Sequence, residues 1–291
     1  MKYKNNRNTG KLLIFLVMVI VLTLACSLSG SGSVSSTKET LFNGVTYIRE
    51  VRTSPRDMVI HIVKINLVSG GIRPHVTEPD NPKSDKPYNA RTTSQYLRSS
   101  GVQLAINGSG FKPWFDLGVI YSPHKGDPVA PLGTTISGDF SYTFEESQKR
   151  PMLGFNGTRP ADISWIAGSP DYLISGTRML VENWTVMEDL DSSETSPRTA
   201  VGVSEDGHTL IIVVVDGRQL GYSQGATLEE LAQILADHGA HKAMELDGGG
   251  SSTLVIEGED GQPIVLNSPV HQGSNGKERP VATHIGFFIR N

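Results

Sequence analysis

The chain of 291 residues has one cysteine, Cys26, so no disulfide can form within it. It has no His-x-x-x-His pair and no cysteine cluster, which removes the usual zinc patterns. Charged residues make up only 19%, too few for a disordered or coiled-coil protein. Apolar runs beyond residue 25 are short, and no internal repeat is visible. With 31 glycines and 16 prolines, this pattern predicts many strands and loops.

What is present begins with an export signal. Lys2, Lys4, Arg7 and Lys11 precede an unbroken apolar run from Leu12 to Val21 that continues to Ala25. A basic region followed by an apolar one is a secretory signal, and this run is short for a membrane span. It ends at Leu22-Thr23-Leu24-Ala25-Cys26, which resembles a bacterial lipoprotein signal whose cysteine carries the lipid. A plain cleaved signal, a signal anchor and a buried thiol are the alternatives. Residues 1–25 are thus expected as signal and 26–40 as a flexible Ser/Gly tether. Residues 41–291 are the expected folded domain. Removing the signal leaves 22 basic and 30 acidic residues, a net charge of −8. That balance argues against a nucleic-acid partner.

Along the domain, 41–67 reads as strands, with Val63 to Leu67 alternating as in a half-buried strand. Pro74 to Pro87 reads as loop. Arg91 to Ser100 reads as a short helix ended by Gly101. Val102 to Ile106 is an expected buried strand running into Asn107-Gly108-Ser109-Gly110-Phe111. Trp114, Phe115 and Tyr121 are candidates for a sugar platform or for ordinary packing. Strands are expected within 155–166 and 171–181, at 200–203 and 210–215, and from Val281 to Ile289. Thr227 to Gly239 carries a full helix signature. Thr227 and Glu230 have capping-box spacing, Leu228, Leu231, Ala232 and Leu235 form one stripe, and Gly239 suits the terminus.

The most unusual stretch is Glu245-Leu246-Asp247-Gly248-Gly249-Gly250-Ser251-Ser252-Thr253. It reads as strand, tight loop, strand. Three consecutive glycines lose backbone entropy on folding and pack no side chain. Close approach of a ligand to the backbone explains them, with peptide N–H groups turned toward an anion. A hairpin explains them as well, since Asp-Gly and Gly-Gly are ordinary turn signals.

Several linked motifs extend this loop. They are Pro197-Arg198-Thr199-Ala200-Val201-Gly202, Val214-Val215-Asp216-Gly217-Arg218, Gly221-Tyr222-Ser223, the Thr227–Gly239 segment and Glu278-Arg279-Pro280-Val281-Ala282. In this order and spacing, with the glycine loop, the chain resembles the phosphodiester glycosidase family over roughly residues 100–290. Ser109-Gly110-Phe111 departs from the family's usual second glycine and paired aromatics. The resemblance implies an α+β (mixed α/β) fold, with mixed β-sheets and flanking helices in one catalytic domain. It also implies hydrolysis of sugar-1-phosphodiesters at the anomeric carbon.

That chemistry sets requirements. Cleavage on the sugar side releases a phosphomonoester with a second pKa of about 6, a better leaving group than an alcohol. The site needs cations or N–H donors for phosphate and a carboxylate for the oxocarbenium-like centre or the attacking water. Arginine offers phosphate a planar fork. Arg198 and Arg279 are the expected phosphate clamps, and Asp247 is the first candidate for nucleophile or base. Glu245, two residues away and on the same strand face, is the second. Gly248, Gly249 and Gly250 offer backbone N–H groups, and Ser251 and Ser252 offer hydroxyls. Asn107 and Asp216 are expected to orient sugar hydroxyls or support the arginines, with Thr199 and His284 as weaker candidates. Surface ion pairing is the alternative for the arginines, a turn for Asp216, and a structural role for His284. No cofactor is demanded, although Asp216, Glu245 and Asp247 would suit Ca²⁺ or Mg²⁺. The expected partners are a phosphorylated glycan substrate and a membrane reached through Cys26. The alternative function is a non-catalytic glycan-binding or exopolysaccharide-assembly lipoprotein on the same scaffold.

Overall fold

The full helix signature at Thr227–Gly239 and the short helix expected at Arg91–Ser100 both fold as helices in the computed structural model. That structure describes residues 33–113, 115–116, 120–144, 150–157, 159–164 and 170–289. The export signal, Cys26 and Trp114 lie outside the described residues, as do the side chains of Phe115 and Tyr121. Helix α1 spans Thr93–Ser100, with a capping box between Thr92 and Gln95 and a left-handed Gly101 at its end. Helix α2 spans Leu228–Asp237, with the Thr227–Glu230 capping box and Gly239 at φ +97° just beyond it.

Apart from a single 3₁₀ turn, the remaining named elements among the described residues are strands. Strand occupies 47% of the described residues and helix 9%, so the α+β expectation is corrected to a mostly-β fold of several antiparallel sheets. The reason lies in the apolar pattern. Outside the two capped segments, apolar residues come in short runs of period two or in unbroken β-branched stretches, which suit strands rather than helices.

The largest sheet has eight strands in the order Val34–Phe42, Val45–Arg52, Met58–Asn66, Thr209–Val215, Arg198–Val203, Lys242–Glu245, Arg178–Glu182, Thr185–Val186. A five-stranded sheet runs Pro263–Val265, Leu254–Glu257, Leu104–Asn107, His284–Ile289, Ile72–Val76. Two sequence readings change here. The tether expected through residue 40 gives way from Val34 to a strand paired with Val45–Arg52. Pro74 lies in a strand rather than a loop, at the sheet edge where its missing N–H leaves no central ladder bond unmade.

The run Leu210 to Val215 shows how the layers form. Leu210, Ile212 and Val214 face a core shared with Leu104, Ile106, Leu254, Ile285 and Phe287 of the second sheet. Ile211, Val213 and Val215 face the opposite way, onto Leu228, Leu231 and Leu235 of α2. The run is unbroken because both of its faces are buried. Tyr96 and Leu97 of α1 cover the outer face of the second sheet at Ala105 and Val255. The two sheets therefore pack face to face, with one helix on each outer side.

This arrangement decides between the two readings of the glycine loop. Lys242–Glu245 pairs only within the eight-stranded sheet, and Leu254–Glu257 only within the five-stranded one. The loop is a crossing between sheets, not a hairpin.

His284 belongs to this framework. It is buried, its Nδ1 lies 3.1 Å from Thr77 Oγ1, and its ring stacks on Tyr96 at 4.6 Å. Burial lowers its pKa from 6.5 to about 3. The folded value lies below the unfolded one, so the unfolded chain takes up the proton first and stability falls as pH drops through that window. The expected slope is about 1.4 kcal/mol per pH unit for this one group. Urea unfolding of wild type and His284→Phe, which keeps the stack, should show that slope difference. Parallel pH curves would rule out the assignment.

Candidate active site

The loop leaves the sheet at Glu245. Leu246 N–H donates to the Thr199 carbonyl at 2.9 Å, and Asp247 N–H donates to the Gly108 carbonyl at 3.0 Å. Gly249 N–H donates to the Pro197 carbonyl at 2.7 Å. Gly249–Ser251 then forms a single 3₁₀ turn, with Gly249 at φ +60°. The loop is therefore tied to neighbouring chain at Leu246, Asp247 and Gly249. A β-carbon at Gly250 would overlap Arg279 Nη2 and lie 2.7 Å from the Val270 carbonyl oxygen. The glycines admit arginine guanidinium groups and backbone at close range, a role the sequence had assigned to a ligand.

A cleft of about 340 Å³ opens on this loop. Asp247 and Glu245 line it together with four arginines, Arg178, Arg198, Arg218 and Arg279. Asp247 is partly exposed. Burial pushes its carboxyl above 3.8, opposed by the Ser251 hydroxyl, the Arg279 charge and the Gly248 N–H. Ser251 also accepts from Arg279 Nη1 at 3.2 Å, and Arg279 Nε donates to His271 Nδ1 at 3.4 Å. Burial lowers the pKa of His271 to about 4, with Arg279 adding to the shift, so it is neutral and accepts.

Glu245 is differently placed. It is 4% exposed, with one oxygen 3.0 Å from Arg198 Nη1 and the other 3.3 Å from Arg178 Nε. Burial raises its pKa, against the two arginines that lower it. Arg198 is also spent on the chain, donating from Nε to the Ala226 carbonyl and from Nη2 to the Glu194 carbonyl. Both ends of this ion pair are therefore held inside the protein. Arg178 is half exposed, and Arg218 is exposed.

Six of the expected site residues, Asn107, Thr199, Asp216, Gly250, Ser251 and Ser252, are buried and do not line the cleft. Asn107 is fully buried. Its Nδ2 donates to the Asp247 carbonyl at 2.7 Å, and its Oδ1 accepts from Thr199 Oγ1 at 2.9 Å and Thr253 N–H at 3.1 Å. Asn107 and Thr199 thus hold the backbone of Asp247 in place. Asp216 is also buried, accepting from Asn267, the Ser268 N–H and Tyr222, with His61 at 3.0 Å. Burial pushes its pKa up, but His61, Ser268 and Asn267 outweigh that and hold it below 3.8. Ser252 is buried, and its hydroxyl has no hydrogen-bond partner among the described residues. Among the described residues no group of three His, Cys, Asp or Glu side chains is placed to hold a metal ion. Asp216 stands outside the cleft that Glu245 and Asp247 share.

Sequence reasoning did not assign Arg178 or Arg218. Arg218 lay in view, at the end of the Asp216-Gly217-Arg218 motif. Arg178 has no local signal, since its place beside Glu245 comes from strand pairing alone.

The chain has relatives among known proteins. The chain is 27% identical over 202 residues to the bovine N-acetylglucosamine-1-phosphodiester alpha-N-acetylglucosaminidase, which covers 63% of this chain and 36% of that protein. It is 36% identical over 88 residues to the SPbeta prophage-derived uncharacterized protein YomE of Bacillus subtilis (strain 168), covering 30% of this chain and 13% of that protein. The chain thus spans well under half the length of either curated relative. Among solved structures, the zebrafish N-acetylglucosamine-1-phosphodiester alpha-N-acetylglucosaminidase catalytic domain, auto-inhibited by pro-peptide, shares the fold. Its TM-score is 0.57 at 20% identity, over 89% of this chain and 83% of that one. A hypothetical protein from Synechocystis gives 0.59 at 17% identity, over 88% and 64%. The phosphodiester glycosidase family model matches residues 100–288, a stretch that holds Asn107, the arginines and the whole glycine loop, and the chain belongs to that family.

Proposed function

We propose that this protein hydrolyses the glycosidic bond of sugar-1-phosphodiesters, with Asp247 as the carboxylate at the anomeric carbon. The observation that carries this reading is a carboxylate facing a cleft lined by four guanidinium groups. Water supplies the hydroxyl to the anomeric carbon. The bond from that carbon to the phosphate oxygen breaks, and its electron pair stays on the phosphate. A phosphomonoester with a second pKa of about 6 needs no proton to leave near neutral pH. The site therefore works without a strong general acid. That fits Glu245, whose oxygens are taken by Arg198 and Arg178. Ser251 and Arg279 favour the ionised form of Asp247 that attack or base catalysis requires.

The N-terminal signal and Cys26 support a lipid-anchored protein outside the cytoplasmic membrane, acting on envelope or extracellular glycans. The reading is tested with a panel of sugar-1-phosphodiesters led by N-acetylglucosamine-1-phosphate esters. Free sugar and phosphomonoester should appear together in equal amounts. Release of a sugar phosphate instead would show cleavage on the other side of the phosphorus. No release from any member would remove the hydrolase reading.

A further inference from the structure

Resting on that reading, we propose that Arg218 is the group that binds the leaving phosphate, so that it, rather than the better-buried Arg198, selects for a phosphorylated aglycone. The stretch from Asp216 to Gly225 is built to present this one side chain. Arg218 sits at φ +59°, a region that side-chain-bearing residues rarely adopt and that functional sites often hold. Its neighbours are fixed on both sides. A β-carbon at Gly217 would stand 2.7 Å from the Pro197 nitrogen. Gln219 and Ser223 exchange backbone hydrogen bonds at 2.9 Å, and the Gln219 side-chain amide donates to the Ser268 carbonyl at 2.8 Å. Ser223 Oγ donates to the Asp216 carbonyl at 2.6 Å, and the buried Asp216 carboxylate anchors the start of the turn.

At the end of this rigid mount the guanidinium is left with little to do. Its side-chain hydrogen bond runs from Nη2 to Ser196 Oγ at 3.4 Å, and among the described residues no carboxylate pairs with it. Arg178 and Arg198 both spend charge on Glu245. Arg218 lies over the glycine loop, where a β-carbon at Gly249 would stand 3.2 Å from Nη1. It also faces Arg279, whose pKa burial lowers and Arg218 lowers further, in opposition to Asp247. A strained, exposed cation beside a second cation, with most of its donors uncommitted, is arranged for an anion.

The reaction supplies one whose charge grows. A phosphodiester carries one negative charge, and the departing monoester approaches two above a pH of about 6. A guanidinium on that group binds the transition state and the product more strongly than the substrate.

Arg218→Ala should lower kcat/KM on the diester by about 100-fold or more. Glycerol 3-phosphate serves as the phosphomonoester probe, and its inhibition should weaken at least about tenfold. In wild type that inhibition should strengthen as pH rises through about 6, and in the variant it should stay flat. Inhibition by the free sugar should stay within about twofold of wild type, because the sugar half of the site is untouched. Arg218→Lys should restore part of the phosphate binding. Arg218→Gly relieves the backbone, so it should keep or raise the unfolding temperature, by about 2 °C, while losing phosphate binding. Equal loss of sugar and phosphate inhibition, or no change in either, would overturn the assignment. If wild type cleaves no diester, the hydrolase reading fails by itself. Calorimetric titration of wild type and Arg218→Ala with glycerol 3-phosphate then still decides Arg218, and no difference between them overturns its role.

Discussion

Asp247→Asn is expected to lower kcat for diester hydrolysis by about 10²–10⁴-fold, the usual contribution of a positioned carboxylate. The unfolding temperature should move by no more than about 3 °C. Two opposed effects underlie that small shift. The fold raises the Asp247 pKa through burial, so a neutral amide removes a penalty; Arg279 then loses its facing anion. The Asn107 clamp is untouched, because it grips the Asp247 backbone carbonyl and not the side chain. The same raised pKa fixes the sign of the pH profile. The carboxylate must be ionised to act, so activity should fall on the acid side at a pH above the ordinary value of 3.8. Steady-state rates and a thermal melt check both statements. Full activity in the folded variant would place the chemistry elsewhere. Added azide separates the two roles open to the carboxylate. If Asp247 is the nucleophile, azide should rescue Asp247→Ala and yield a glycosyl azide of inverted configuration.

Glu245→Ala is expected to cost about 3–5 kcal/mol of stability, the largest structural effect of any cleft substitution. The carboxylate is 6% exposed and Arg198 is 12% exposed, so removing the acid leaves a buried guanidinium without its anion. Arg178 adds a second contact but is half exposed, and solvent screening makes its share small. Combining Glu245→Ala with Arg198→Met should recover much of the loss, because the unpaired charge goes with its partner. Urea unfolding of the two single variants and the double gives the coupling. A loss below about 1 kcal/mol in Glu245→Ala would show that water already reaches this pair. Activity should fall as well, since Glu245 holds two of the four arginines of the cleft in place.

These outcomes separate the two carboxylates that the sequence presented as a pair. Two residues apart on one strand, they could have divided acid and base between them. Strand pairing sets them apart: Glu245 aligns with Arg178 on one side and Ala200 on the other, inside the sheet. Asp247 lies past the strand end, where its backbone bonds to Gly108 and Asn107 of the second sheet. One acid therefore falls among arginines and the other at the opening.

Much of the framework was legible locally. Helix α2 is marked by its capping residues and apolar stripe and α1 by the glycine that ends it, because capping and helix periodicity act within a few residues. The strand before Asn107 and the paired strands at 200–203 and 210–215 follow in the same way from short, unbroken apolar runs. The order of the motifs around Asp247 carried the family. Tertiary structure alone decided the rest. The glycine run crosses between sheets because its flanking strands find partners in different sheets, among them Arg178–Glu182 and Leu104–Asn107, far away in sequence. Asn107 and Asp216 look from the sequence like ligands for a sugar. They are buried supports because chain some 140 and 50 residues away closes over them. Arg198 and Arg218 look alike as letters beside a turn. One is tied to Glu245 while the other is held out on a strained mount, and that difference is one of burial and partner, which a side chain acquires only when distant strands meet.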